Sequence, residues 1–264
     1  MFKKRVISAI SMLIIFSVSF FIFDPWTFIA LSFFVSIIAL YELGTVLNLK
    51  FSQKIIFWIL SFSTFLYFYC FDISNINTIF FASLIFWLLF APIHILKKFL
   101  IPPSLKLFFG IILIIPLLSS ILWLFSLNKL FLLYILVSIF IADIGAFILG
   151  KKFGKHKLMY DVSPGKTIEG ALGAFVLNCI FSFFLSFYVS IEPILLISAS
   201  ILITLLSIFG DLYESLLKRM SGLKDSGSII PGHGGILDRV DGLCPTLPLF
   251  ALIFNYSYVL GIIF

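Results

Sequence analysis

Charge is what this sequence of 264 residues has least of. Asp, Glu, Lys and Arg make up 11% of it, where a soluble domain carries about a quarter. Cysteine and histidine are scarcer still, three of each. Cys70, Cys179 and Cys244 form no CxxC pair, and His94, His156 and His233 are scattered, which argues against a zinc site of ordinary spacing. There is also no Pro-rich linker, low-complexity tail or convincing internal repeat. These absences disfavour a soluble enzyme, a disulfide scaffold and a repeat array.

What is there is apolar. Hydrophobic residues make up 62% of the chain, with 35 Phe among them. About 20 consecutive apolar residues suffice for a helix to cross a bilayer. Nine such runs stand out, at roughly 6–23, 26–48, 55–71, 75–96, 107–126, 130–149, 170–190, 192–212 and 244–263. Membrane strands would alternate apolar and polar residues, and these runs do not. The first run follows Met-Phe-Lys-Lys-Arg but is too long for a signal peptide. It has no small-residue cleavage site before Asp24. The expected fold is all-α: a polytopic transmembrane helical protein of about nine spans. It forms a single integral membrane domain over 1–264, with an N-terminal span region, 1–128, and a C-terminal catalytic region, 129–264. Two loops, 150–170 and 212–243, interrupt the second region.

Basic residues concentrate in cytoplasmic loops. With the N-terminus cytoplasmic, 17 of the 18 Lys and Arg fall on the inner side and Lys129 alone falls outside. The runs were placed without reference to charge, so the split supports both their number and their direction. The location expected is the inner (cytoplasmic) membrane. The net charge of +6 suits a face lying against anionic lipid and receiving an anionic substrate, and it needs no nucleic acid.

Polar residues gather in the two inner loops. The first reads GKKFGKHKLMYDVSPGKTIEG, from Gly150 to Gly170. Its PGKT looks like the end of a phosphate-binding loop, but Tyr160 stands where the first glycine should be. Two readings stay open. In one, Ser163 is an N-cap and Pro164 opens the seventh span. In the other, Ser163, Lys166, Thr167 and Glu169 meet a substrate phosphate at a helix N-terminus.

The second loop starts at Asp211. Continuing the eighth span as a helix puts Asp211, Ser215 and Lys218 on one face, with Glu214 and Arg219 beside it. Lys224 and Asp225 follow Gly222, and SIIPGHGGILDRVDG then runs from Ser228 to Gly242. Its glycines frame His233 with backbone that a ligand or another segment can approach closely. Carboxylates at a membrane boundary, without Cys or paired His, suit a hard cation such as Mg²⁺, which takes one or two carboxylates and uses substrate phosphates for the rest. Nearby Lys and Arg would balance a polyphosphate. Phosphoryl or nucleotidyl transfer needs little more. A transporter would instead place charge at mid-membrane. Here Glu42 and Asp143 come nearest to that, and both can sit at an inner end.

The stretch SLLKRMSGLKDSGSIIPGHGGILDRVD, Ser215 to Asp241, resembles the signature of the phosphatidate cytidylyltransferases, also called CDP-diacylglycerol synthases. ADIGAFILGKKFGKHKL and SPGKTIEG are similar to the family as well, although Gly165 stands where the family usually has Lys. The resemblance covers roughly the C-terminal half; the N-terminal spans match in hydropathy alone. It implies transfer of CMP from CTP to phosphatidic acid at the cytosolic membrane face, with Mg²⁺ and room for a second cation. Carried over by motif position, it implies Asp211 and Asp238 as metal ligands and Lys218, Arg219 and Arg239 as phosphate neutralisers. Ser215 and Lys224 would touch substrate. His233, framed by Gly234 and Gly235, would sit close to a phosphate, and Asp225 and Asp241 would orient basic residues. The partners implied are CTP, phosphatidic acid and the bilayer; a homodimer is left open. A polyprenyl or dolichol kinase-like enzyme is the nearest alternative.

Overall fold

The computed structural model describes residues 11, 14–22, 25–70, 77–230 and 234–259; all statements below concern these. Residues 14–21 are helical. They are followed by α1 (Pro25–Val46), α2 (Phe51–Cys70) and α3 (Asn77–Lys97). Next come α4 (Lys106–Phe153), the strands β1 (Lys157–Met159) and β2 (Ser163–Thr167), and then α5 (Ile168–Val189) and α6 (Pro193–Met220). A single turn, α7 (Leu237–Val240), leads into α8 (Leu243–Val259). The protein is therefore an all-α polytopic membrane protein. Five helices, α1, α3, α4, α5 and α6, are long and apolar enough to cross a bilayer.

The α4 helix counts for more than one. A straight helix of 48 residues would run about 72 Å, more than twice the hydrocarbon thickness. It is broken at Asn128, whose φ of −151° and ψ of 90° are not helical. The Asn128 side chain accepts from the Phe131 N–H at 3.0 Å, the bond of an N-cap starting a second helix. Ile114 and Asp143, about 43 Å apart in a straight helix, each line a cavity that Asp241 also lines. Trp123 and Phe131, on either side of the break, both pack on Phe254. The chain thus folds back at Asn128, between the runs expected at 107–126 and 130–149.

Proline explains the irregular turn in α3. Pro92 has no N–H to return to the helix. The turn before it widens to a π segment, Phe86–Phe90, in which the Ala91 N–H bonds the Phe86 carbonyl.

The helices alternate so that the basic loops meet at one end of the bundle. There Ser221 Oγ donates to the Val46 carbonyl, Lys98 pairs with Asp161 at 2.8 Å, and Lys166 pairs with Asp211 at 2.5 Å. At the other end Asn77 meets Asn255 at 2.5 Å, and the Phe28 and Phe125 rings stack 4.3 Å apart. This arrangement is what the alternation of apolar runs and basic loops requires.

Helices in lipid gain nothing from hiding apolar surface from one another, so close backbone approach and interhelical hydrogen bonds hold them. The second arm of α4 packs on α5 through Gly145 and Gly173. A β-carbon at either would lie 2.5 or 2.6 Å from the other's carbonyl oxygen. Asn178 donates to Thr204 Oγ1 at 2.8 Å, and the Tyr134 hydroxyl donates to the Leu196 carbonyl at 2.8 Å. The outward faces stay apolar, as at Leu172, Phe184 and Phe187.

One local expectation is corrected. Ser163 is not an N-cap. It lies in β2, which pairs antiparallel with β1, Lys157 opposite Thr167 and Met159 opposite Ser163. Pro164 has no N–H to give the ladder, which a two-stranded edge tolerates. The cap is Thr167, in extended conformation, whose Oγ1 accepts from the Gly170 N–H at 3.1 Å. The helix therefore starts four residues beyond Pro164.

Overpacking the glycine contact should destabilise the bundle. Gly173→Val is expected to cost about 1–3 kcal/mol and to lower the unfolding midpoint in detergent. Gly165→Ala, with nothing within 4 Å of the added carbon, should stay within about 0.5 kcal/mol of wild type. Equal midpoints for the two would refute the close crossing.

Candidate active site

A cavity of about 620 Å³ opens where the basic loops meet. Asp143, Phe147 and Lys151 of α4 line one side, and Lys166 and Thr167 of β2 another. Ser207, Asp211 and Lys218 of α6 line a third, and Asp225, Asp238, Arg239 and Asp241 close it from the loop after α6. Residues from both inner loops thus converge, although 45 positions separate Lys166 from Asp211 in the sequence. Apolar residues, Ala146, Phe147, Ala171 and Ile208, line it together with the charged ones.

The α6 helix ends because Gly222, at φ +72°, turns the chain left-handed. The Leu223 N–H closes the end on the Lys218 carbonyl at 2.8 Å. The loop then returns, and its anchor is Asp238. Its Oδ2 accepts from the Gly235 N–H at 2.8 Å and from the Ser226 N–H and hydroxyl, each at 3.0 Å. Its Oδ1 accepts from Lys218. Gly234, at φ +84°, makes the turn that aims the Gly235 N–H at this carboxylate. Burial would raise the Asp238 carboxyl, but the Lys218 bond and the two N–H donors outweigh it and hold the group below its usual value. With a lowered folded value, this group's contribution to stability is present above the ordinary 3.8. It is lost as pH falls through the folded value.

Lys218 also meets Glu214 at 2.6 Å. One buried ammonium thus bridges two buried carboxylates, joining α6 to the loop. Beyond it lies a second acidic group: Asp211, Glu214 and Asp241 each bring a carboxylate oxygen within 4.8 Å of the others. Burial, then the charges of Asp211 and Glu214, push the Asp241 carboxyl well above its usual range. Glu214 Oε1 is buried with no hydrogen-bond partner. Three convergent carboxylates with an orphaned oxygen are a hard-donor set that fits a divalent cation such as Mg²⁺.

The other expected residues divide. Ser215 Oγ reaches Asp211 Oδ1 at 3.4 Å and so touches a carboxylate. Arg219 donates to the Leu223 carbonyl at 3.2 Å. Lys224 is exposed, outside the cavity lining. Glu169 turns away from Lys166 and accepts from the Lys155 N–H at 3.1 Å and from His156 Nδ1 at 2.7 Å. It fastens the loop to the start of α5. His233 lies outside the described residues. Glu214 and Asp143 were not expected among the site residues. Their signal was available: Glu214 follows Asp211 by one helical turn, and Asp143 is a charge inside an apolar run.

Fold and cavity together describe a polytopic membrane protein with a cavity lined by acidic and basic side chains at one end of its bundle. The chain belongs to the cytidylyltransferase family, whose model matches residues 3–257. It is 32% identical to a phosphatidate cytidylyltransferase of Haemophilus influenzae, over 98% of this chain and 100% of that one. It is also similar to phosphatidate cytidylyltransferases of Staphylococcus haemolyticus, 42% identical over 47% of this chain, and Staphylococcus aureus, 40% over 48%. The chain spans about half the length of these staphylococcal relatives, 48% and 50%. The resemblance seen in the signature thus extends to the N-terminal half through the Haemophilus protein.

Removing the bridging ammonium should be severe. Lys218→Met leaves Glu214 and Asp238 buried without a counter-charge, at an expected cost of about 3–5 kcal/mol. A detergent melt of the variant reads this directly, and an unchanged midpoint would show that the bridge does not hold the loop.

Proposed function

We propose that this protein transfers CMP from CTP to phosphatidic acid, giving CDP-diacylglycerol and pyrophosphate, at the cytosolic face of the inner membrane. The observation that carries this reading is the meeting of signature residues Asp225, Asp238, Arg239 and Asp241 with Lys166 and Asp211 around one cavity that apolar side chains also line. Cationic side chains suit the phosphates of both substrates, and apolar ones suit the lipid's acyl chains. The full-length similarity to a phosphatidate cytidylyltransferase supports the same substrates.

In the reaction, a phosphate oxygen of phosphatidate attacks the α-phosphorus of CTP. The new P–O bond forms as the bond to the β-phosphate oxygen breaks, and pyrophosphate leaves. The lipid supplies the nucleophile, so the protein's task is positioning and charge neutralisation. Asp211, Glu214 and Asp241 are the residues that would hold Mg²⁺, which when bound neutralises phosphate charge. Asp238, expected as the second ligand, we instead give the task of fixing Lys218, because its oxygens already accept four hydrogen bonds. Lys166 and Asp211, paired at 2.5 Å, are the two groups whose charges a nucleotide phosphate and a divalent cation would each claim. Arg239 stands at the cavity as a second phosphate partner. Thr167 caps α5 and orients Lys166 beside it.

We also propose nine crossings with the N-terminus cytoplasmic. The 17-to-1 division of basic residues and the meeting of the basic loops at one end support this.

Purified protein given labelled CTP, phosphatidic acid and Mg²⁺ should make labelled lipid, and no product would end the reading. Asp211→Asn should lower turnover by at least ~100-fold, since it removes a charge from the cation set. Activity equal to wild type would remove Asp211 from that set. Separately, a cysteine placed at Lys155 in intact cells should be shielded from a membrane-impermeant thiol reagent, and one at Lys129 should react. The reverse pattern would put the cavity on the wrong side for CTP.

A further inference from the structure

The loop that carries Asp238 is held by a residue from the other end of the sequence. Glu42, near the C-terminal end of α1, is 2% exposed in a helix of otherwise uncharged residues. Its Oε2 accepts from the Leu237 N–H at 2.8 Å and shares the single Ser226 hydroxyl proton, at 3.1 Å, with Asp238. That hydroxyl also lies 3.0 Å from Asp238 Oδ2, so Ser226 stands between the two carboxylates. One turn further along α1, the Val46 carbonyl accepts from Ser221 at the start of the same loop. Thus α1 grips the loop where it leaves α6 and again where it enters α7.

The Glu42 carboxylate also accounts for two glycines. A β-carbon on Gly227 would collide with Glu42 Oε1, and one on Gly235 with Ser226 Oγ and Glu42 Oε2. Backbone strain is not the reason at these positions, since neither has positive φ. The space for a side chain is taken by Glu42.

We propose that Glu42 is a positioning residue for the transfer reaction. It clasps the Ser226–Leu237 segment so that Asp238 and Arg239 face the cavity, and Gly227 and Gly235 are small to admit it. A buried carboxylate costs free energy unless its neighbours satisfy it. Here the N–H and hydroxyl of the loop do so, which makes the cost of burying Glu42 depend on the loop being closed. This inference rests on the cytidylyltransferase reading, so its test has one arm that needs no catalysis.

In the first arm, hydrogen exchange of residues 224–238 is compared in wild type and Glu42→Ala. Exchange should quicken at least ~10-fold at Leu237 and Ser226 as the loop opens. Unchanged exchange overturns the clasp, whatever the activity. In the second arm, kcat and KM for CTP are measured per folded enzyme. Glu42→Ala should lower kcat by about 10- to 100-fold with KM changed less than about threefold. Glu42→Gln keeps a carbonyl oxygen for the Leu237 N–H and should recover about tenfold of the loss. The Glu42→Ala and Ser226→Ala effects on kcat should fall short of multiplying in the double variant, because both break one network. Normal kcat in Glu42→Ala, a loss matched by lost folded protein alone, or fully multiplicative effects would each overturn the positioning role. Wild-type protein that makes no lipid product would sink the functional reading and the positioning role with it, while the exchange arm still decides the clasp.

Discussion

A single buried ammonium organises the charged end of this protein. Lys218 leaves water to sit between Glu214 and Asp238, and two carboxylates this close would repel without it. The bridge therefore fixes where the loop after α6 must return. Once Asp238 is held, its other oxygen collects the Gly235 and Ser226 N–H groups. Asp225, Arg239 and Asp241 then fall on the cavity because they flank that anchor.

The apolar bundle makes such an arrangement affordable only at its end. Lipid offers no hydrogen bonds, so each charge must find protein partners or lie near the interface. Asp211 finds Lys166 and Lys218 finds two carboxylates, while Asp211, Glu214 and Asp241 approach one another. The last group is out of balance, and that imbalance is what a divalent cation and an anionic substrate would resolve. The close α4–α5 crossing at Gly145 and Gly173 serves the same end, since it brings the α4 wall of the cavity up against β2 and Lys166.

Much of this was legible in the chain. The runs at 26–48, 75–96, 170–190 and 192–212 correspond to α1, α3, α5 and the membrane part of α6, with Asp211 marking where the apolar stretch of α6 stops. The break at Asn128 lies between two runs that were read separately. The strands were not legible, because three and five residues are too few to show alternation, and Pro164 reads more readily as a helix start. Glu169 reads as a phosphate neighbour of Lys166, but Lys166 lies in β2 and pairs with Asp211, while Glu169 lies in the first turn of α5 and pairs with His156. The signature implies Asp238 as a metal ligand and Asp241 as an orienting group, yet Asp238 is the one that accepts from Lys218 and Asp241 the one that lies with Asp211 and Glu214.

The sequence by itself determined that the chain is a helical membrane protein, which segments are apolar and which stretches carry charge. Partition into lipid depends on each segment's own composition, so these properties are local. It also determined the family, because the signature is contiguous. Only the tertiary structure decided which carboxylates come close to one another, which one accepts from Lys218, and that Glu42 lies against Gly235 although 193 positions separate them. Those outcomes depend on distances between helices. Spacing along the chain does not set such distances; the packing of glycines, the break at Asn128 and the pairing of buried charges do.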